Sequence, residues 1–318
     1  MTTGLLGSSA IVALGAIPGD VIWSYSVAGV VLAIGLAVLL LRDEWSRARG
    51  LDKLLLLGPP FYAAPLAAFG TEHFTQADAV ASIVPAWIPG HHFWVYLVGV
   101  CFIAAAFSLV TRIQARLSAS LLALTFFLFV VLMDIPGWVQ DPKDRIALTL
   151  VLRQLCFSGG ALALAASLST QPRDGWAETA AKIARYFIAI PVLVYSVEQF
   201  MHGDQVPGVP LNRLTPDYVF GHGLWTYLTA VVYAVAGSLL LVGKKTRAAA
   251  TWIGLTVLLI VLAVYVPIGV VDCASLSKGF NFLADTLMFC GAILLLANAM
   301  PREAPLRQPS ASALQPGG

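Results

Sequence analysis

Membrane-length apolar segments recur along the whole chain, and they constrain its fold more than any other feature. At about 1.5 Å rise per residue, each is long enough to cross, or nearly cross, a hydrocarbon core of roughly 30 Å. The segments are 20–41, 54–72, 93–110, 117–135, 147–168, 183–201, 224–242, 249–268 and 280–299. They are apolar on all sides, whereas the strands of a barrel would alternate. The sequence therefore predicts an all-α polytopic transmembrane bundle of about nine spans.

Composition agrees with a membrane protein and excludes several other classes. Only 11% of the residues are charged, and the mean hydropathy is +0.82, whereas soluble domains carry about 25% charged residues. The formal net charge is only +2, and the sequence has no cluster of basic and aromatic residues of the kind that binds nucleic acid. The four cysteines form no CxxC pair, so neither a zinc ribbon nor a thiol–disulfide exchange motif is indicated. We expect a lipid bilayer, and no nucleic acid, among the partners.

The distribution of lysine and arginine predicts the orientation, because cytoplasmic loops carry an excess of these residues. With the N-terminus outside, 14 of the 19 basic residues fall in cytoplasmic segments and 4 in outer segments, while Arg153 lies inside a span. We therefore expect an outside N-terminus and a cytoplasmic C-terminus in a bacterial inner membrane. All five histidines then lie on the outer side.

The sequence also contains an internal duplication. The pattern Phe-x3-Pro-x6-Glu-x-Phe occurs over residues 61–74 and again over residues 187–200. Six further identities relate 85–97 to 216–228 at an offset of 131 instead of 126, so the second outer loop is five residues longer. Each copy has an even number of spans, which predicts two four-helix repeats of the same orientation, related by a pseudo-twofold axis along the membrane normal.

The duplication divides the chain into four predicted regions. They are an N-terminal helix with a basic cytoplasmic loop (1–53), a first repeat (54–170), a second repeat (183–300) and a tail (301–318). The tail is rich in Pro, Ser, Ala and Gly, which predicts disorder.

Several short motifs resemble those of the DoxX-like family of integral membrane proteins. They are Glu-His-Phe ending the first helix of a repeat, Val-Pro-Ala-Trp-Ile-Pro in the outer loop, Phe-Trp-Val-Tyr-Leu opening the second helix and Ile-Pro closing the third. The first copy resembles the family more closely than the second. Family members often have His before the proline of the third helix, where this chain has Asp134 and Tyr265. The resemblance implies a redox-associated membrane subunit.

A carboxylate stands near the outer end of the first helix in each repeat, with histidine and tryptophan nearby. The candidate ligand-binding residues are Glu72, His73, His91 and Trp94 in the first repeat and Glu198, His202, His222 and Trp225 in the second. Such side chains bind metal ions, or they bond a quinone-like headgroup while aromatic rings cover it. A quinone, a metal and a mere position at the water boundary all stay open. Successive residues on a helix point about 100° apart, which predicts that Glu72 and His73 diverge.

Two further charges lie inside predicted spans. The sequences Phe-Ser-Gly at 157–159 and Phe-Cys-Gly at 289–291 align at an offset of 132, which makes Arg153 and Asp285 equivalent. If their helices line the pseudo-twofold axis, the two side chains face each other, so we predict a buried charge pair. Glu72 and Glu198 are the alternative partners. A lone arginine in lipid costs several kcal/mol unless a partner or water offsets it.

Three classes of function follow. The first is a redox-associated subunit that binds a quinone-like headgroup or a metal and works with a separate catalytic protein, since the chain carries no flavin, nucleotide or thiol motif. The second is a small-solute or proton-linked transporter, because duplicated bundles with internal charges suit alternating access. The third is a non-catalytic scaffold or assembly subunit. The residues assign no catalytic group.

Overall fold

The structure is a computed structural model that describes residues 17–169 and 175–302. Within these ranges, nine helices are long and apolar enough to cross a membrane. They are α1 (Gly19–Leu41), α2 (Asp52–Thr75), α3 (His91–Thr111), α4 (Ala115–Gln140), α5 (Arg145–Ser167), α6 (Gly175–Met201), α7 (His222–Val242), α8 (Thr246–Val271) and α9 (Leu276–Ala299). The predicted all-α bundle of nine spans is confirmed. The predicted disorder of the tail concerns residues that, after Arg302, lie outside the described ranges.

The two ends of the bundle differ in their polar residues. All five histidines lie where α2 and α6 end and where α3 and α7 begin, and we call this end the histidine side. The opposite end is called the basic side, after the arginines and lysines that follow α1, α3 and α7. Two short helices connect the spans, Glu44–Arg47 on the basic side and Ala77–Ser82 on the histidine side.

The backbone repeats at the offset found in the sequence. Both ends of α7 lie 131 residues after those of α3, and a wider π turn interrupts α4 at Val130–Asp134 and α8 at Val261–Tyr265. In each case the residue two positions beyond the turn is a proline, which lacks a backbone N–H for a regular helical bond. The duplication thus extends to irregular details of the backbone. The division of the chain into domains at 54–170 and 183–300 stays a prediction.

Helices α5 and α9 cross closely at the centre of the bundle. A Cβ atom added to Gly160 of α5 would lie 2.5 Å from the Cβ of Ala292 on α9. Residues 160 and 292 are equivalent at the offset of 132, so this contact lies on the pseudo-twofold axis. Small residues let helix backbones approach in this way within membranes.

The neighbours of this crossing are also paired across the repeats. Helix α9 packs on α2 of the first repeat, while α5 packs on α6 of the second. At Gly291 an added Cβ would lie 2.5 Å from the backbone nitrogen of Tyr62, and at the equivalent Gly159 it would lie 2.9 Å from the Cβ of Phe187. The last helix of each repeat therefore packs against the first helix of the other.

We expect Gly160→Leu to destabilise the protein, because even its first side-chain atom collides with Ala292. Overpacking of this kind costs about 1–3 kcal/mol, which lowers the melting temperature by a few degrees. The measurement is thermal unfolding in detergent. Gly29→Leu is the matched control, because Gly29 has nothing within 4 Å of an added Cβ and should melt like the wild type. Equal melting temperatures for both variants would contradict the crossing.

Candidate functional site

A cavity of about 820 Å³ lies in the histidine-side half of the first repeat, bordered by α2, α3, α4, α5 and α9. Most of its wall is apolar. The aromatic lining residues are Phe69, Trp87, Trp94, Phe102, Phe126, Phe129 and Phe157. A volume of this size, lined by apolar and aromatic side chains, is typical of a small-molecule site.

The cavity also has a polar wall. The polar and charged lining residues are Glu72, His73, Thr125, Asp134, Arg153, Gln154, Asn281 and Asp285. Five of these have a buried polar atom without a hydrogen-bond partner among residues 17–169 and 175–302: Glu72 Oε1, Asp134 Oδ2, Arg153 Nε, Gln154 Oε1 and Asn281 Oδ1. Buried polar atoms almost always have partners, and leaving one unpaired costs about 1–3 kcal/mol. Five such atoms around one cavity indicate a site for a polar group.

The charge pair on the pseudo-twofold axis forms part of this wall. Arg153 Nη1 donates a hydrogen bond to Asp285 Oδ2 at 2.7 Å, and the two side chains are 19% and 6% exposed. Of the alternative partners, Glu198 is bonded by Arg145 instead. The charges that the repeat makes equivalent therefore face each other where α5 crosses α9.

Glu72 and His73 both line the cavity. The expectation that these successive side chains diverge stays a prediction. The His73 ring nitrogen Nδ1 lies 2.7 Å from the backbone oxygen of Phe69. A carbonyl oxygen only accepts, so Nδ1 carries the proton in this bond. The other ring nitrogen, Nε2, is left for a further contact.

The other candidate residues next to these loops are His91 and Trp94 in the first repeat and His222 and Trp225 in the second. His91 begins α3 but is not among the residues that line the cavity. The side chain of His222 lies outside what the structure describes. Trp94 does line the cavity, and its indole nitrogen donates to the oxygen of Pro89 at 3.2 Å. Trp225 makes the same bond five residues back in the second repeat, at 2.8 Å.

The carboxylate of the second repeat is already satisfied. Glu198 Oε2 accepts a hydrogen bond from Arg145 Nε at 2.7 Å, and His202 Nδ1 lies 3.6 Å from the same oxygen. At the offset of 132, the position of Arg145 is taken by Ser277 in the other repeat. Glu72 therefore has no arginine from that position, and the two equivalent carboxylates have different surroundings.

In the second repeat, the chain's own outer loop fills the equivalent place. Residues 205–210 are all buried, and we call them the plug. Tyr265 Oη donates to the oxygen of Pro207 at 2.5 Å, and Thr149 Oγ1 donates to that of Pro210 at 3.1 Å. The Gln199 amide bonds both the N–H and the oxygen of Gly208, at 3.2 and 3.4 Å.

The residues that hold the plug have repeat-equivalent counterparts that line the cavity. The plug-holding residues are Gln199, Tyr265 and Thr149. At the offsets of 126, 131 and 132, their counterparts are His73, Asp134 and Asn281. All three counterparts line the cavity. Cavity and plug therefore occupy equivalent places in the two repeats.

The cavity also reaches the outer surface of the bundle. Leu97 and Cys101 of α3 line it and are exposed, as are Leu128 and Leu132 of α4. These apolar residues lie on the surface of the bundle, which in a membrane faces lipid. The charge pair in the polar wall lies at the α5–α9 crossing, and the opening between α3 and α4 lies toward the bilayer.

The donors do not fit a metal ion. Among the side chains that the structure describes, no group of three or more His, Cys, Asp and Glu residues is placed to hold one. A metal held by Glu72, His73 and His91, one of the possibilities that the sequence leaves open, would need all three together, and His91 is not among the residues that line the cavity.

Comparison with known proteins gives a family match over part of the chain. Residues 62–147 match a family model described as "Domain of unknown function (DUF8561)". Neither the curated proteins nor the solved structures give a significant match. The matched segment contains Glu72, His73 and Asp134, so it includes much of the cavity wall.

We expect Asp285→Asn to destabilise the protein strongly, because it leaves Arg153 without its charged partner. Breaking a buried pair in this way costs about 3–5 kcal/mol. Asp78→Asn is the control, since Asp78 contacts His92 with a fully exposed carboxylate and its loss should leave the melting temperature unchanged.

The exchange Arg153→Asp with Asp285→Arg tests the same pair from the other direction. It should recover part of the stability that either single variant loses, as measured by thermal unfolding in detergent. An exchanged protein no more stable than the single variants would show that the pair does not hold α5 to α9.

Proposed function

We propose that the chain is an integral membrane protein that binds a lipid-soluble molecule of the quinone class in the first-repeat cavity. The observation that carries this proposal is an otherwise apolar, aromatic cavity with polar residues in its wall, five of which have a buried polar atom without a partner among the described residues. A molecule with a polar head and an apolar body complements both parts of that wall.

The arrangement of the cavity supports a definite pose. The head lies toward the pseudo-twofold axis, where Arg153, Gln154 and Asn281 supply hydrogen-bonding groups. Rings such as Phe102 and Phe126 cover the apolar ring of the ligand. Its tail leaves between α3 and α4, so the ligand enters from the bilayer rather than from water.

The wider role rests on the resemblance to the DoxX-like family and on charge distribution. The protein is a subunit of a redox complex and works with a separate catalytic protein, because it has no flavin, nucleotide or thiol motif of its own. The excess of basic residues on the basic side supports a cytoplasmic location for that side. The cavity then faces the outer leaflet of a bacterial inner membrane.

The test is to purify the protein from membranes, extract its bound lipids, and measure quinone-class molecules by mass spectrometry. We expect about one quinone-class molecule per chain. Glu72→Gln should lower occupancy by the hydroxyl-bearing, reduced members of this class about tenfold, since only a hydroxyl can donate to the Glu72 carboxylate and a hydrogen bond to a charged group is worth about 1.5–3 kcal/mol. Glu198→Gln is the matched control, because that carboxylate is bonded by Arg145 and should leave occupancy unchanged.

The other classes of function give different results in the same system. Accumulation of a solute in vesicles, without bound quinone, would identify a transporter. Recovery of a partner protein with neither bound quinone nor transport would identify a scaffold. Either result, together with no binding of an added short-chain quinone, would contradict the proposal.

A further inference from the structure

The residues that surround the plug can be compared with the equivalent residues that line the first-repeat cavity. In addition to the hydrogen bonds described above, the backbone oxygen of Gln205 in the plug accepts a hydrogen bond from Thr226 Oγ1 at 2.8 Å. A Cβ built on Gly208 would lie 2.8 Å from Ile260 and 3.5 Å from Thr286. The counterparts of these three wall residues are Val95, Phe129 and Gln154. All three line the cavity, so the correspondence extends to its apolar wall.

The hydrogen-bonding character of the wall is reversed between the two repeats. Around the plug, Tyr265 of α8 and Thr149 of α5 donate to carbonyl oxygens of the plug. In the first repeat, Asp134 stands in place of Tyr265, and its Oδ2 is buried without a partner. A tyrosine hydroxyl has a proton to donate, whereas a carboxylate only accepts.

His73 shows the same change relative to Gln199. The Gln199 amide donates to Tyr195 O at 3.1 Å and still bonds the plug through both its nitrogen and its oxygen. His73 makes the equivalent bond to Phe69 through Nδ1. In a neutral imidazole the remaining nitrogen, Nε2, is then an acceptor.

The unpartnered carboxylate oxygens of the cavity residues also favour a ligand that donates. Two of the five unpartnered atoms are carboxylate oxygens, on Glu72 and Asp134, and a carboxylate only accepts. The amides of Gln154 and Asn281 both accept and donate, and Arg153 Nε donates. The two carboxylates are completed by a ligand that donates. The oxygens of a quinone only accept, whereas each hydroxyl of its reduced form, the hydroquinone, donates one hydrogen bond.

We infer that the first-repeat cavity takes its ligand in the place that the plug occupies in the second repeat, and that it selects the hydroquinone over the quinone through Asp134, His73 and Glu72. This inference rests on the proposed function and adds to it the chemical form of the ligand. Asp134 lies on α4 and Glu72 on α2, so a head with two hydroxyl groups contacts two different helices.

The experiment compares three short-chain probes of nearly the same shape under anaerobic conditions: an alkylhydroquinone, its dimethyl ether and the corresponding quinone. Their affinities for the full chain in detergent are measured by calorimetry. We expect the hydroquinone to bind about tenfold or more tightly than either probe that lacks hydroxyl groups, since each lost hydrogen bond to a charged group leaves a buried acceptor unpaired.

Asp134→Asn tests the residue that carries the argument, because its amide replaces one acceptor with a donor. The preference for hydroquinone over quinone should fall about tenfold. Glu72→Gln removes an acceptor on another helix and tests the same wall if Asp134→Asn does not fold. Tyr265→Phe is the control: it removes a bond to the plug, so it should lower the melting temperature but leave the probe affinities unchanged.

The outcomes separate the two proposals. Equal affinities, or a tighter quinone, would overturn the inference and leave the proposed function standing. Binding of none of the probes would overturn both. A hydroquinone preference that survives in both Asp134→Asn and Glu72→Gln would show that these carboxylates do not set it.

Discussion

The close crossing of α5 and α9 is the contact on which the rest of the structure depends. Gly160 meets Ala292 on the pseudo-twofold axis, and nearby Arg153 bonds Asp285. Because each of these helices ends one repeat and packs on the first helix of the other, neither repeat is complete alone. Helix α9 supplies Asn281 to the cavity of the first repeat, while α5 holds the plug of the second through its own residues.

The two repeats share this helix arrangement but differ in whether their interior is filled. The second repeat has a longer outer loop whose buried residues 205–210 occupy its interior, and its Glu198 is bonded by Arg145 of α5. The first repeat has a shorter loop and a carboxylate at 134 where the second has a tyrosine, and the residue of α9 equivalent to Arg145 is Ser277. In this duplicated bundle, the interior of the second repeat is therefore filled by its own loop, and that of the first repeat is open.

Much of the fold could be predicted from the sequence, because membrane spans and a long duplication are encoded locally. The offset alone indicated that Arg153 and Asp285 would be equivalent. The site was harder to predict. Gln154 and Asn281 are neutral residues in apolar spans, and only packing shows which helix face reaches a cavity. The five extra loop residues were visible in the sequence, but their burial depends on tertiary contacts. A comparison of Thr149 with Asn281 at the offset of 132 would have indicated that both positions carry a polar residue.

The central claim is that equivalent places are open in the first repeat and filled in the second. The most direct measurement is thiol labelling by a membrane-permeant maleimide at an equivalent pair of positions, Gln154→Cys and Thr286→Cys. The background carries Cys101→Ala and Cys273→Ser and keeps the buried Cys156 and Cys290. The account predicts ready labelling at position 154 and, at 286, labelling only after unfolding. Equal labelling rates in the folded protein would contradict it.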